Sequence, residues 1–258
     1  MILDDIVEKT KQRIANRKKE YSLDKIKKEA FQKIITNDFS FEQAIRNSGM
    51  SFILEVKKAS PSKGEIVKDF NYVEIAKEYQ MIGASAISVL TEPYFFKGDS
   101  QYLQEISSVV DIPLLRKDFV IDEYMIYEAK VLGASAILLI CSILEVETMK
   151  QYIEIADSLG LSCLVEAHDA NEVEKALKAK ARIIGVNNRD LKTFTVDINN
   201  SICLRSLVPK EILFVSESGI SSSQDIQELV SNQVNGVLIG ETLMKATNKK
   251  EMLDNLRG

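Results

Sequence analysis

MIGASAISVL (residues 81–90) recurs fifty residues later as VLGASAILLI (131–140). Both copies share a Gly-Ala-Ser-Ala-Ile core, follow an amphipathic segment and run into a wholly apolar stretch. Each reads as a helix ended by glycine, a turn packed with small residues, and a buried strand. Outward from these two copies, the same alternation fills the chain from residue 51. The apolar runs are SFILEVKK (51–58), AISVL (86–90), IPLLRKDF (112–119), AILLI (136–140), SCLVEAH (162–168), RIIGVNN (182–188), EILFVSES (211–218) and NGVLIG (235–240). Segments such as NYVEIAKEYQMIG (71–83) and DEYMIYEAKVLG (122–133) lie between them, with helical periodicity and a closing glycine. Strand alternating with helix predicts parallel strands with helices outside. Eight such βα units over 51–258 predict a (β/α)8 TIM barrel, which typically takes about 250 residues. The open doubly wound sheet is disfavoured, because no G-x-G-x-x-G follows the first strand.

Residues 1–48 read as a helical extension, with apolar stripes at Ile2, Ile6, Val7, Thr10, Ile14 and at Ile26, Ala30, Phe31, Ile34, Ile35. The net charge of −5 and the interleaving of lysine with Glu and Asp argue against a nucleic-acid surface. No run approaches the roughly 18 apolar residues of a membrane span, and the charged N-terminus lacks a secretion signal. The cysteines, Cys141, Cys163 and Cys203, are odd in number, lack metal spacing and sit in apolar settings. They are expected to be buried reduced thiols, which implies a cytoplasmic protein. One histidine, His168, gives no basis for a zinc site or a hydrolase triad and is expected to be a loop residue or cap.

In a barrel, functional groups stand at the C-terminal ends of strands. Period two puts Ile53, Glu55 and Lys57 on one face of the first strand and Leu115, Lys117 and Phe119 on one face of the third. Leu164 with Glu166, Gly185 with Asn187 and Arg189, and Leu213 with Val215 and Glu217 follow on the fifth, sixth and seventh. Three carboxylates and two ammonium groups in one mouth predict mixed acid–base chemistry, with each lysine lowering the other's pKa and apolar neighbours making the glutamates better bases. After strand seven, SESGISSSQDI leads from Ser218 and Gly219 into a helix whose first turn carries Ser221 to Ser223. After strand eight, Gly240 opens another in LIGETLM. Helix-start amides in these two loops predict a phosphate site. Phe95, Phe96, Phe119, Leu191 and Leu238 are candidate walls of an apolar pocket.

FILEVKKASPSKG (52–64), SVLTEPYFFKGD (88–99), PLLRKDFVID (113–122), CLVEAH (163–168), IIGVNNRDL (183–191), VSESGI (215–220) and VLIGETLM (237–244) together resemble indole-3-glycerol phosphate synthase over essentially the whole chain. The resemblance implies a single TIM-barrel domain, residues 1–258, with residues 1–48 packed across the catalytic face. It implies ring closure of 1-(2-carboxyphenylamino)-1-deoxyribulose 5-phosphate with loss of CO2 and water, without metal or organic cofactor. Candidate catalytic residues are Lys117, Glu166, Lys57, Glu55, Asn187 and Glu217. Ser60, Phe96, Phe119, Arg189, Leu191, Ser218, Gly219, Leu238, Gly240 and Glu241 are candidates for substrate binding. One departure is Asp99, where the family more often carries serine. The partner expected is a small phosphorylated molecule, with no nucleic acid or membrane, and the chain is expected to be a monomer or weak homo-oligomer. A second reading is another phosphate-binding barrel such as a sugar-phosphate isomerase. An Amadori-type isomerase would be expected to end its first strand in cysteine, where this chain has Glu55 and Lys57. A third, an inert scaffold on the same fold, sits poorly with Lys117 and Glu166 beside Lys57. The lid expected after strand one spans residues 58–69.

Overall fold

A computed structural model describes residues 2–46, 49–190 and 193–258. Eight parallel strands close on themselves: β1 Ser51–Val56, β2 Ala86–Leu90, β3 Leu114–Lys117, β4 Ala136–Ile140, β5 Ser162–Ala167, β6 Ile183–Asn187, β7 Leu213–Glu217 and β8 Gly236–Ile239, with β8 pairing back to β1. Each strand neighbours the next in sequence, as eight successive right-handed βα units require.

The repeated joint has a physical basis. Gly83 and Gly133 take φ of +86° and +88°, a conformation costly for residues with a side chain. They let the following amides of Ala84 and Ala134 turn back to Tyr79 and Ala129 carbonyls at 3.0 Å, closing both helices alike. The serine has a second task. Ser85 and Ser135 each donate their backbone N–H to the preceding barrel strand, at Phe52 and Leu114, and accept that residue's N–H on the side-chain oxygen. Asn235 does the same for Phe214 ahead of β8, its side-chain oxygen accepting at 2.8 Å. A short polar side chain here satisfies an amide at or next to the start of a buried strand that would otherwise lack a partner.

The alternation read from sequence is kept. Ile53, Leu115, Leu138, Leu164, Ile183, Leu213, Val215 and Leu238 point into the barrel and form its interior, while Leu54, Val89, Leu139, Val165 and Ile184 pack outward against the helices. Phe41 and Ile45 join the interior cluster, so the short helix Ser40–Arg46 plugs the N-terminal end of the barrel.

The extension therefore divides. Only its first helix, Ile2–Glu20, lies over the C-terminal end, where Ile2, Leu3 and Ile6 overhang the mouth. It is held there by Arg13, which grips Asp118 bidentately at 2.8 and 3.0 Å, and by Lys18, 2.7 Å from Asp122. The second helix, Leu23–Gln32, buries Ile26 and Ala30. Phe31 stays half exposed and Ile34, past the helix end, almost fully exposed, so the second stripe is shorter than its sequence suggests. Cys141 and Cys163 are buried, and burial pushes the Cys141 thiol up to about 12. Cys203 is exposed, against expectation, because it lies on the solvent side of the helix Asn199–Arg205 that buries Ser201 and Leu204. Asp99 caps the helix Ser100–Ser107 by accepting from Gln101 N at 2.9 Å. That is work serine also does, so the departure is conservative.

Candidate active site

A cavity of about 450 Å³ opens at the C-terminal end of the barrel, within the range that holds a drug-sized ligand. Glu55 and Lys57 reach it from β1 and its end, Lys117 from β3, Glu166 from β5, Asn187 from β6 and Glu217 from β7. Ser60, Phe96, Phe119, Arg189, Ser218, Gly219, Leu238, Gly240 and Glu241 line the same space. Leu191 lies outside the described residues. Phe95 does not line the cavity; its amide is turned to Glu92.

Lys117 is the hub. Its ammonium lies 3.0 Å from Glu166 Oε2 and 2.5 Å from Glu217 Oε2, linking three strands across the barrel. Two glycines make room for these groups. A methyl group on Gly185 would overlap the Glu217 carboxylate, and one on Gly240 would overlap Glu55 and crowd the Lys57 ammonium. Those two form a second pair, Lys57 Nζ to Glu55 Oε1, at 2.5 Å. Asn187 donates to Glu166 Oε1 at 3.3 Å and accepts the Arg189 amide at 3.1 Å.

Charge balance departs from the expected mutual lowering of lysine pKa values. Burial disfavours the Lys117 ammonium, but the carboxylates of Glu166, Glu217 and Glu55 outweigh it and raise its pKa well above the ordinary value. Lys117 answers to these carboxylates rather than to Lys57, whose own ion pair is with Glu55. Glu166 is buried too, yet Lys117, His168 and the Asn187 amide hold it below the usual carboxylate range. Glu217 moves the other way. Burial outweighs its share of Lys117, and the charges of Glu166 and Glu55 add to the push, taking it up to about 7. One ammonium thus holds two carboxylates apart in proton affinity, the arrangement that separates acid from base roles.

Fewer backbone amides are free for the expected anion site than the sequence suggests. The amides of Ser221 and Ser222 are already taken by Asp225 Oδ2, at 2.8 and 2.9 Å, in a capping box on the helix Ser223–Ser231. The facing backbone is Ser218–Ile220 and Gly240–Thr242, and the Thr242 hydroxyl ties the two loops by donating to Ile220 O at 3.0 Å. Ser218 holds φ at +69°, a strained conformation for a non-glycine residue. Asn188 maintains it, donating to Ser218 O at 3.0 Å. Three cations face the Glu241 carboxylate: Lys245 at 2.6 Å and Lys63 and Arg189 at 3.8 Å. Phe96 and Phe119 stand 6.0 Å apart on the apolar side. Buried Glu92 fixes Phe96 by accepting the amides of Tyr94, Phe95 and Phe96.

Glu92, Asn188, Lys245 and Phe194 escaped the sequence reading. Lys245 carries a signal, since it lies one helical turn after Glu241 on the same face. His168 is not the cap of its helix. Asp169 caps Ala170–Lys178, and the His168 ring turns toward Glu166.

The chain matches the family model described as indole-3-glycerol phosphate synthase over residues 3–256. A protein of Ruminiclostridium cellulolyticum named indole-3-glycerol phosphate synthase is 56% identical over 258 residues, covering 100% of this chain and 99% of that one. A protein of the same name from Endomicrobium trichonymphae is 56% identical over 257 residues, with both chains covered in full. Among solved structures, a thiamine phosphate pyrophosphorylase from Pyrococcus furiosus superposes with a TM-score of 0.61 at 17% identity, over 83% of this chain and 96% of that one. That likeness speaks to the fold alone.

Proposed function

We propose, from the premise that the chain belongs to the indole-3-glycerol phosphate synthase family, how its barrel mouth performs that family's reaction. The reaction closes the indole ring of 1-(2-carboxyphenylamino)-1-deoxyribulose 5-phosphate, releasing CO2 and water. The ring carbon bearing the carboxylate attacks the chain's ketone, and negative charge builds on the ketone oxygen. Lys117 meets that charge and protonates the oxygen. Although its ammonium is a weaker acid here than in water, a tertiary alkoxide is far more basic still, so the transfer runs downhill. CO2 then leaves, and its electrons restore the aromatic ring. Loss of hydroxide as water follows, with a proton taken from the ring carbon beside nitrogen.

In this reading Glu166 is the main base, held ionised by its two donors, Lys117 and Asn187, and by the charge of His168, and the Glu55–Lys57 pair assists dehydration and orients the substrate. Glu217 holds Lys117 in line and orients a chain hydroxyl. With a pKa of about 7 it can also exchange a proton near neutrality. Asn187 and Arg189 hold hydroxyls or the carboxylate. The phosphate lies on the amides near Ser218, Gly219, Gly240 and Glu241, and the Glu241 carboxylate is drawn aside by its three cations. Phe96, Phe119 and Leu238 sandwich the aromatic ring, and Ser60 closes over it. Anchoring both ends brings the reacting carbons together.

The observation that carries this reading is the Lys117 ammonium between Glu166 and Glu217 inside one pocket with Lys57 and Glu55. Purified protein given the carboxyphenylamino substrate should develop indole fluorescence, which is easily followed because the chain has no tryptophan. Folded protein that leaves this substrate unchanged would refute the reading.

The segment after β1 contains a two-residue hairpin, Ala59–Ser60 with Gly64–Glu65, and Ser60, Pro61 and Ser62 line the cavity. Residues 58–69 act as a lid in this proposal. Their amide exchange should slow when a substrate analogue binds, and unchanged exchange would remove the lid. Among the described residues no helix is long and apolar enough to cross a membrane. A cytoplasmic location, supported by the free buried thiols of Cys141 and Cys163, and a monomeric or weakly associating state complete the proposal.

A further inference from the structure

The chain's single histidine stands beside the candidate base, and its geometry assigns it a task. Glu172 Oε2 accepts the His168 backbone N–H at 2.8 Å and lies 3.0 Å from ring Nδ1. An ionised carboxylate only accepts, so Nδ1 carries a proton. The other ring nitrogen, Nε2, is buried, lacks a hydrogen bond of good geometry and lies 3.4 Å from Glu166 Oε1. A bare lone pair there would face a carboxylate, so the stable arrangement also has a proton on Nε2. Asn187 donates to the same Oε1, while Lys117 takes Oε2.

We propose that His168, locked by Glu172, is a positioning residue for Glu166: its Nε2 proton fixes the Oε1 side of that carboxylate and leaves the Oε2 side for Lys117 and the substrate. The inference rests on the role given to Glu166 above. The charged groups around the imidazole are consistent with it. Burial works against the imidazolium, but the hydrogen bond to Glu172 and the charges of Glu166, Glu172 and Glu217 outweigh it, raising the ring's pKa. Lys117 lies beyond Glu166, and Lys175 reaches the Cys141 carbonyl nearby. Asp169 accepts the Glu172 amide, which stiffens the anchor. At 3.4 Å the contact between Nε2 and Glu166 Oε1 is a charge contact rather than a short hydrogen bond.

With one histidine, NMR of ring-labelled protein reads its titration without ambiguity. Wild type should titrate above an ordinary imidazole, and Glu166→Gln and Glu172→Gln should each lower that value. In the pH profile of kcat/KM, His168→Asn should move the acidic limb to higher pH, and loss of the positioned carboxylate should lower kcat on the order of tenfold. KM should change less, and Glu172→Gln should fall between. A ring that titrates alike in wild type and Glu166→Gln overturns the inference. So does a His168→Asn enzyme that loses activity with its acidic limb unmoved, which is what mere loss of packing would give. Wild-type protein that makes no indole defeats the functional reading instead, and the titration still tests the His168–Glu166 contact.

Discussion

Replacing Lys117 by methionine is expected to slow ring closure by about 10²–10⁴-fold in single turnover, the contribution of a positioned general acid. Substrate affinity should fall far less, because the loops Ser218–Ile220 and Gly240–Thr242, proposed to hold the phosphate, and the aromatic walls are untouched. The loss has a second signature in stability. Wild-type Glu166 is held below its ordinary pKa, so its contribution is present above the unfolded value and is lost as pH falls through the folded one. Without Lys117, Glu166 and Glu217 are two buried carboxylates sharing one space, and their pKa values rise. A carboxyl raised in the folded state favours folding below its unfolded pKa and loses that advantage as pH rises. The variant should therefore come closest to wild type near pH 5 and fall furthest behind near pH 8, as urea titrations at the two values would show. A near-normal ring-closure step would remove Lys117 from the acid's role. An unchanged pH dependence of stability would mean the carboxylates do not depend on it.

The inward face of each strand end was legible in the sequence because side chains alternate and a charge breaking an apolar run is visible. Glu55, Lys117, Glu166 and Glu217 are all of this kind, and the neutral amide of Asn187 ends its run in the same way. The outward face was not, since parallel barrel strands are buried on both sides and hydropathy does not distinguish them. Arg116 and Asp118, either side of Lys117, were singled out by nothing in the sequence and are buried behind it, bonded to the helix Glu123–Val131 and to Arg13 of the first helix. Asn188, next to Asn187, turns outward to bind Ser216 and Ser218. Their partners come from distant sequence, as with Arg13 and Asp118, 105 residues apart. The lysine pKa direction failed for a related reason. Composition places cations and anions in one mouth but does not say which is nearest, and at 3 Å the nearest charge decides. The Gly-Ala-Ser-Ala joint was read correctly as a helix stop and turn, but the strand-capping role of its serine needs the neighbouring strand.

The outward face yields the largest stability effect expected outside the cavity. Arg116 is fully buried, and every arm is used: Nε to Thr91 Oγ1 at 3.2 Å, Nη1 to Met125 O at 2.9 Å, and Nη2 to Glu128 Oε2 at 2.6 Å and Asp118 Oδ2 at 3.4 Å. Asp118 also receives Arg13 from the first helix and the Thr91 hydroxyl at 2.7 Å, and it binds the Phe119 amide at 2.8 Å. Strand β3, the helix Glu123–Val131 and the cover helix thus meet at one buried charge network directly behind Lys117 and Phe119. Arg116→Met keeps most of the volume and removes the charge. It leaves Glu128 with only the half-exposed Arg17 at 3.6 Å and Asp118 with Arg13, and should cost about 3–5 kcal/mol, the penalty of removing one partner from a buried ion pair. Adding Glu128→Leu should recover a substantial part of that loss, because a well-packed apolar pair often equals a buried ion pair. Urea midpoints of the single and double variants test this. A single-variant loss below about 1 kcal/mol, or a double variant less stable than the single, would mean the network is solvated rather than buried. If the network supports Lys117 only through the backbone, Arg116→Met should reduce kcat much less than Lys117→Met does. That difference separates the layer that holds the acid from the acid itself.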